Sequence, residues 1–206
     1  MKTNRVWVAR LGLAGVLAQG AMAVDLKSGA KPVTSQVIVY VRTDNLLIAE
    51  LGRAQQTAVK VFAGIGVPVV FRSGALGKSA EGAFSIELQL DAKAPAQLHA
   101  GALAFATPFR VSGTRIRIFC DRVRNASPES GPGIALGYVM AHEIAHVLEG
   151  VSRHSVEGIM KAHWEKPDYR QMKSLALLFD PADDELIHEG LERRVALAVR
   201  ADAPPR

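Results

Sequence analysis

Apolar and polar positions along this chain switch between a period of two and a period near 3.6. SQVIVYV (35–41) is rich in β-branched side chains and predicts a buried strand. After the polar capping stretch Thr43-Asp44-Asn45, LLIAELGRAQQTAVKVFAGIG (46–66) repeats its apolar residues every three or four positions. That spacing predicts an amphipathic helix ending near 64–66. VPVVFR (67–72) predicts a second strand, and AFSIELQLD (83–91), strictly alternating, a third that is half exposed. ALAFATP (102–108) and TRIRIFCDRV (114–123) predict two more, separated by a turn at Ser112-Gly113.

The second half is helical. A loop with Ser127, Pro128, Ser130, Gly131, Pro132 and Gly133 leads into IALGYVMAHEIAHVLEG, an apolar helix closed by Gly150. Glycine and proline break 150–167. DYRQMKSLALLFD (168–180) predicts a helix with Met172, Leu175, Ala176 and Phe179 as its apolar side, and 181–200 a charged, peripheral one. The order of elements is that of a single α+β domain with a twisted mixed sheet.

The ends modify this picture. Lys2, Arg5 and Arg10 precede a short apolar stretch and Ala21-Met22-Ala23, the layout of a secretory signal peptide cleaved near Ala23. The apolar run is shorter than the roughly 20 residues of a spanning helix, so export to periplasm or medium is expected, without stable membrane insertion after cleavage. Cleavage would leave 22 basic side chains against 20 acidic ones. Neither that balance nor any basic cluster interleaved with aromatics marks a nucleic-acid binder. Cys120 is the sole cysteine, so no internal disulfide forms; in the run IRIFC it reads as a buried strand residue.

Candidate chemistry is concentrated in HEIAHVLEGVSRH (142–154), which holds three of the six histidines. On a helix, residues four apart share a face, so His142 and His146 can turn their rings toward one point. Glu143, displaced to one side, would reach a water there and not the metal itself. The flanking residues are apolar, and polar side chains in such a helix need a reason. A catalytic zinc takes three protein ligands and keeps a fourth position open. Gly150 permits a sharp turn that could return His154 to the same ion. Glu149, Glu157, Glu185 and Glu189 are the alternatives for that third place. A fully structural site would fill all four positions and has no use for a base beside the metal.

The stretch HEIAHVLEGVSRHSVEGIM resembles the metzincin metallopeptidases, whose signature is HExxHxxGxxH followed by a methionine turn. His142, Glu143 and His146 match its first half, Gly150 its glycine, His154 its third histidine, and Met160 in Gly158-Ile159-Met160 the turn. Each of the last two intervals is one residue longer here, giving HExxHxxxGxxxH; this spaced form is similar to a group of uncharacterised exported bacterial proteins of metzincin type. The resemblance implies a zincin-like domain over 24–180, with 1–23 as signal and 181–206 as a C-terminal helix and tail. It implies one catalytic Zn2+ on His142, His146 and His154, and a peptide or protein substrate extended along an edge strand within 102–108. Glu143 would exchange the proton as a zinc-activated water attacks the scissile carbonyl. His163 and Tyr169 could donate to oxyanion or substrate, and Trp164 could line the cleft or close the core. Two other readings stay open: a zinc hydrolase of a non-protein amide, and a zinc-stabilised binding protein without catalysis.

Overall fold

The computed structural model describes residues 36–43, 48–75, 84–96, 103–107 and 114–201. The expected signal segment 1–23, the capping residues Asp44 and Asn45, and the turn at Ser112-Gly113 lie outside them. By its contacts the chain divides after Lys31, and the sheet and helices belong to the unit Pro32–Arg206.

Five strands form one sheet: β1 (Val37–Thr43), β2 (Val69–Ser73), β3 (Ser85–Asp91), β4 (Ala104–Thr107) and β5 (Thr114–Phe119). Their order is β2-β1-β3-β5-β4. The first four run parallel, with Val39 opposite both Phe71 and Ile86 and Leu88 opposite Ile116. β4 closes one edge antiparallel to β5. The sheet is therefore mixed, as the order of elements predicts. The helices are α1 (Ile48–Ala63), α2 (Cys120–Ala126), α3 (Pro132–Glu149), α4 (Lys166–Lys173) and α5 (Pro181–Ala201).

β3 shows why alternation in the sequence survives at the centre of a sheet. Ile86, Leu88 and Leu90 are buried in the core. Glu87, Gln89 and Asp91 point to the other face, where opposite charges cover the pleat. Glu87 Oε1 lies 3.4 Å from Arg42 and 3.3 Å from Arg115, and Arg117 meets Asp91 at 2.6 Å.

α3 is the central helix. It packs on α1, α2, α4 and α5 and on the β4–β5 end of the sheet. Fifteen of its 18 residues are buried, so any polar side chain it carries must find a partner or a ligand.

Three local expectations are corrected. The strand expected to run to Val123 ends at Phe119, and Cys120 begins α2 instead; the thiol is buried, and burial pushes its pKa up to about 12. The helix expected over 168–180 is two turns long. A capping box between Glu165 and Asp168 starts α4. It stops because Leu175 takes a left-handed φ of 57° and the Ala176 amide returns to the Gln171 carbonyl at 2.9 Å. Beyond it Leu177 and Phe179 are buried and Leu178 is exposed, the period of extended chain.

The third correction concerns α5, which is not peripheral. Asp183, Ile187, Gly190 and Leu191 form a buried stripe at helical spacing. A Cβ on Gly190 would lie 1.8 Å from the Leu148 carbonyl oxygen, so the close crossing of α5 over the end of α3 needs glycine there. Arg193 and Arg194 each donate to an α3 carbonyl, of Glu149 at 3.0 Å and of Val147 at 2.5 Å. The last carbonyls of a helix lack intrahelical donors and carry its negative pole, so cations suit that end.

Candidate metal centre

α3 presents His142 and His146 on one face, four residues apart. Their Nε2 atoms are 3.0 Å apart, close to the roughly 3.3 Å expected of two nitrogens on one tetrahedral zinc. Gly150 then ends the helix with φ 73°, and its amide bonds the His146 carbonyl. This left-handed residue turns the chain back, as its place after the apolar run predicts. His154 returns to the helix, its ring 5.4 Å from that of His142 and 4.9 Å from that of His146. One nitrogen from each of the three rings lies within 4.8 Å of the others.

Among the described residues this is the one group of three or more His, Cys, Asp or Glu side chains placed to hold a metal. Glu149, Glu157, Glu185 and Glu189 are not in it. Glu157, Glu185 and Glu189 are exposed, and Glu149 is buried toward α5, where Asp183 and Arg153 are its charged neighbours.

The donor set fits zinc in chemistry as well as number. His142 Nδ1 donates to the Ile159 carbonyl at 2.8 Å, which leaves its Nε2 lone pair facing the cluster. Burial, and then the neighbouring His146 and His154 rings, lower the His142 pKa to about 4 against the raising effect of the Ile159 carbonyl. The ring is therefore neutral at physiological pH, the form that binds metal. Burial also lowers the pKa of His146, helped by His154 and opposed by the Val151 backbone and Asp183. Its Nδ1 has no hydrogen bond of ordinary geometry, although the Val151 backbone lies near.

Glu143 lines the same cleft as His142 and His154, a hollow of about 570 Å³. Its carboxyl is buried, and burial raises its pKa to about 7. A carboxyl poised there can accept and return a proton near neutral pH. Val139, Ala126, Trp164 and Tyr169 supply much of the apolar lining, and Ala104 of the edge strand with Leu103 just before it stands at one side.

Of the other singled-out residues, His163, Trp164 and Tyr169 also line this cleft. His163 lines it and is exposed. Trp164 does both things foreseen for it, since it lines the cleft and is buried. Its indole donates to the Ile159 carbonyl at 3.2 Å, and its ring meets His142 edge-on at 5.5 Å. Tyr169 packs edge-on against Trp164. Met160 is buried in the turn after Gly158, whose φ of 77° and close approach to the Leu178 carbonyl exclude a side chain.

Sequence reasoning missed the Ile159 carbonyl, which no side-chain pattern announces, and Asp183, which reads in sequence as an ordinary acidic residue opening a helix. Arg153 and Ser155 on either side of His154 were the available signal.

A mixed sheet with an antiparallel edge strand packed against a central helix bearing HExxH is the arrangement of a zincin-like fold. Among solved structures, the chain is similar to archaemetzincin from Methanopyrus kandleri, with a TM-score of 0.51 and 15% identity. The match covers 79% of this chain and 99% of that one. No protein-family model matches the sequence, and no curated protein does.

Proposed function

We propose that the chain is a zinc-dependent hydrolase of peptide bonds, exported from the cell that makes it. The observation that carries this reading is the convergence of His142, His146 and His154 beside an open cleft that His142, His154 and Glu143 line. Three protein nitrogens with the remaining side open to a cleft suit a catalytic site, not a closed structural one. Bound there, one zinc ion supplies a Lewis acid that polarises a carbonyl and lowers the pKa of water.

The chain's own groups do the rest. Glu143 takes the proton from the attacking water and returns it to the leaving nitrogen. The Ile159 carbonyl fixes the His142 tautomer, so the ligand needs no reorientation when metal binds. The apolar wall of Val139, Trp164 and Tyr169 accepts a side chain and excludes water beside the reacting bond. Among the described residues β4 pairs on one side only, with β5, and Leu103 and Ala104 at its start border the cleft; an extended peptide can lie along that edge.

The test is cleavage of a complex peptide library by the purified, zinc-loaded protein beside Glu143→Ala. The expected outcome is that the wild type cuts, while the variant retains zinc and loses roughly 100-fold or more in rate. A wild type that holds one zinc and cuts no peptide would overturn the peptide substrate and leave a non-protein amide, or binding without catalysis, as the function.

A further inference from the structure

His142 and His146 ride on a buried helix, but His154 stands in an exposed, irregular loop. Something must hold it. We propose that Asp183, in the first turn of α5, is a positioning residue for the third metal ligand, gripping the loop through Arg153 and Ser155. The inference rests on the zinc-hydrolase reading above.

The geometry is specific. Asp183 is fully buried, and its Oδ1 accepts from two donors, Arg153 Nη2 at 2.5 Å and Ser155 Oγ at 2.6 Å. Those donors are the immediate sequence neighbours of His154, one on each side. With both fixed to one oxygen, the backbone between them has little freedom and the imidazole keeps its direction. The far side of the loop is closed separately. The Ser155 amide bonds the Met160 carbonyl at 2.9 Å, and Ser155 pairs with Lys161 in an isolated parallel bridge.

The clamp is itself anchored to the helix that carries the other two ligands. Gly190 seats α5 against the Leu148 carbonyl, and Arg193 and Arg194 bond the last carbonyls of α3. One helix thus sets the distance between the end of α3 and the returning loop. Both intervals after His146 are a residue longer than in HExxHxxGxxH, so the loop has more chain to order. An anchor from α5 orders it during folding, before metal arrives. A charged clamp also suits the site, because a buried carboxylate persists only when paired, and Arg153 pairs it.

The experiment measures zinc dissociation constants of the full chain by competition with a chromophoric chelator. Arg153→Gln, Ser155→Ala and Asp183→Asn are compared with Leu191→Ala, a core change on the same helix that leaves the loop alone. Melting in excess chelator is recorded for each. The expected result is zinc binding about 10- to 100-fold weaker in the three clamp variants, the usual cost of losing a group that orients a ligand. Ser155→Ala, which leaves the Arg153–Asp183 pair intact, should melt near the metal-free wild type, and Arg153→Gln, which unpairs a buried carboxylate, should melt lower. Leu191→Ala also melts lower but keeps its zinc affinity. Clamp variants that bind zinc like the wild type would overturn the positioning role. So would Leu191→Ala weakening zinc as much as they do, since α5 would then be only a support. If Asp183→Asn does not fold, the two loop variants decide. A wild type that binds no zinc overturns the zinc-hydrolase reading, and this role with it.

Discussion

At the scale of single residues, the most unusual group outside the histidine cluster is Glu149. It is 1% exposed, and neither of its carboxylate oxygens has a hydrogen-bond partner among the described residues. Burial, and then the nearby Asp183, raise its pKa to about 7, against the lowering effect of Arg153. A carboxyl raised in the folded state stabilises the fold below its ordinary value of 4.5 and loses that contribution as pH climbs through about 7. The full swing is on the order of 3 kcal/mol. Glu149→Gln should therefore flatten the decline in stability between pH 5 and pH 8, read by denaturant titration in excess chelator. An unchanged pH slope would mean that Glu149 is ionised or solvated in the native state. The residue also shows where sequence reading stops. Seven positions after His142 it was a fair candidate ligand, and only its burial against α5 removes it.

At the scale of elements, periodicity or a continuous apolar run located nearly every strand and helix, because α1 and β3 bury one face and α3 is buried almost all round. It failed where an apolar run crosses a junction. In IRIFC the chain passes from strand to helix without a polar residue to mark the change. It failed again at Leu175, because a leucine in left-handed conformation contradicts the local propensity; the bonds of the Leu175 and Ala176 amides to Met172 and Gln171 close the helix there. The charge on α5 concealed its role in the same way, since its buried stripe begins with an aspartate. Gly190→Ala tests the crossing of α5 over α3. A methyl at that contact must displace backbone, so stability should fall by at least the 1–3 kcal/mol typical of overpacking, seen as a lower melting temperature. A neutral result would mean that the helices separate easily at that point.

At the scale of the whole molecule, the candidate site joins elements remote in sequence. Two histidines of the cluster and Glu143 come from one helix and were legible as HExxH; the third histidine followed from Gly150 and the loop. What holds them was not legible, since the Ile159 carbonyl and Asp183 act through distance in space. If the site binds zinc in the folded state alone, zinc at about 100 times its dissociation constant should add about 2.7 kcal/mol of stability. For a chain of this size that is roughly 5–10 °C in melting temperature, lost on adding chelator. Equal melting with and without zinc would mean that the ion is absent or binds the unfolded chain equally well. The Ile159 oxygen carries a further consequence. It serves the His142 ring and the Trp164 indole together, so one peptide plane orients both a histidine of the cluster and a wall of the cleft. If zinc binds this cluster and a cleft ligand moves the indole, the two events are linked through that oxygen, and linkage is reciprocal. A ligand that settles the indole should tighten zinc by the same factor by which zinc tightens the ligand, measurable by titrating either in the presence of the other.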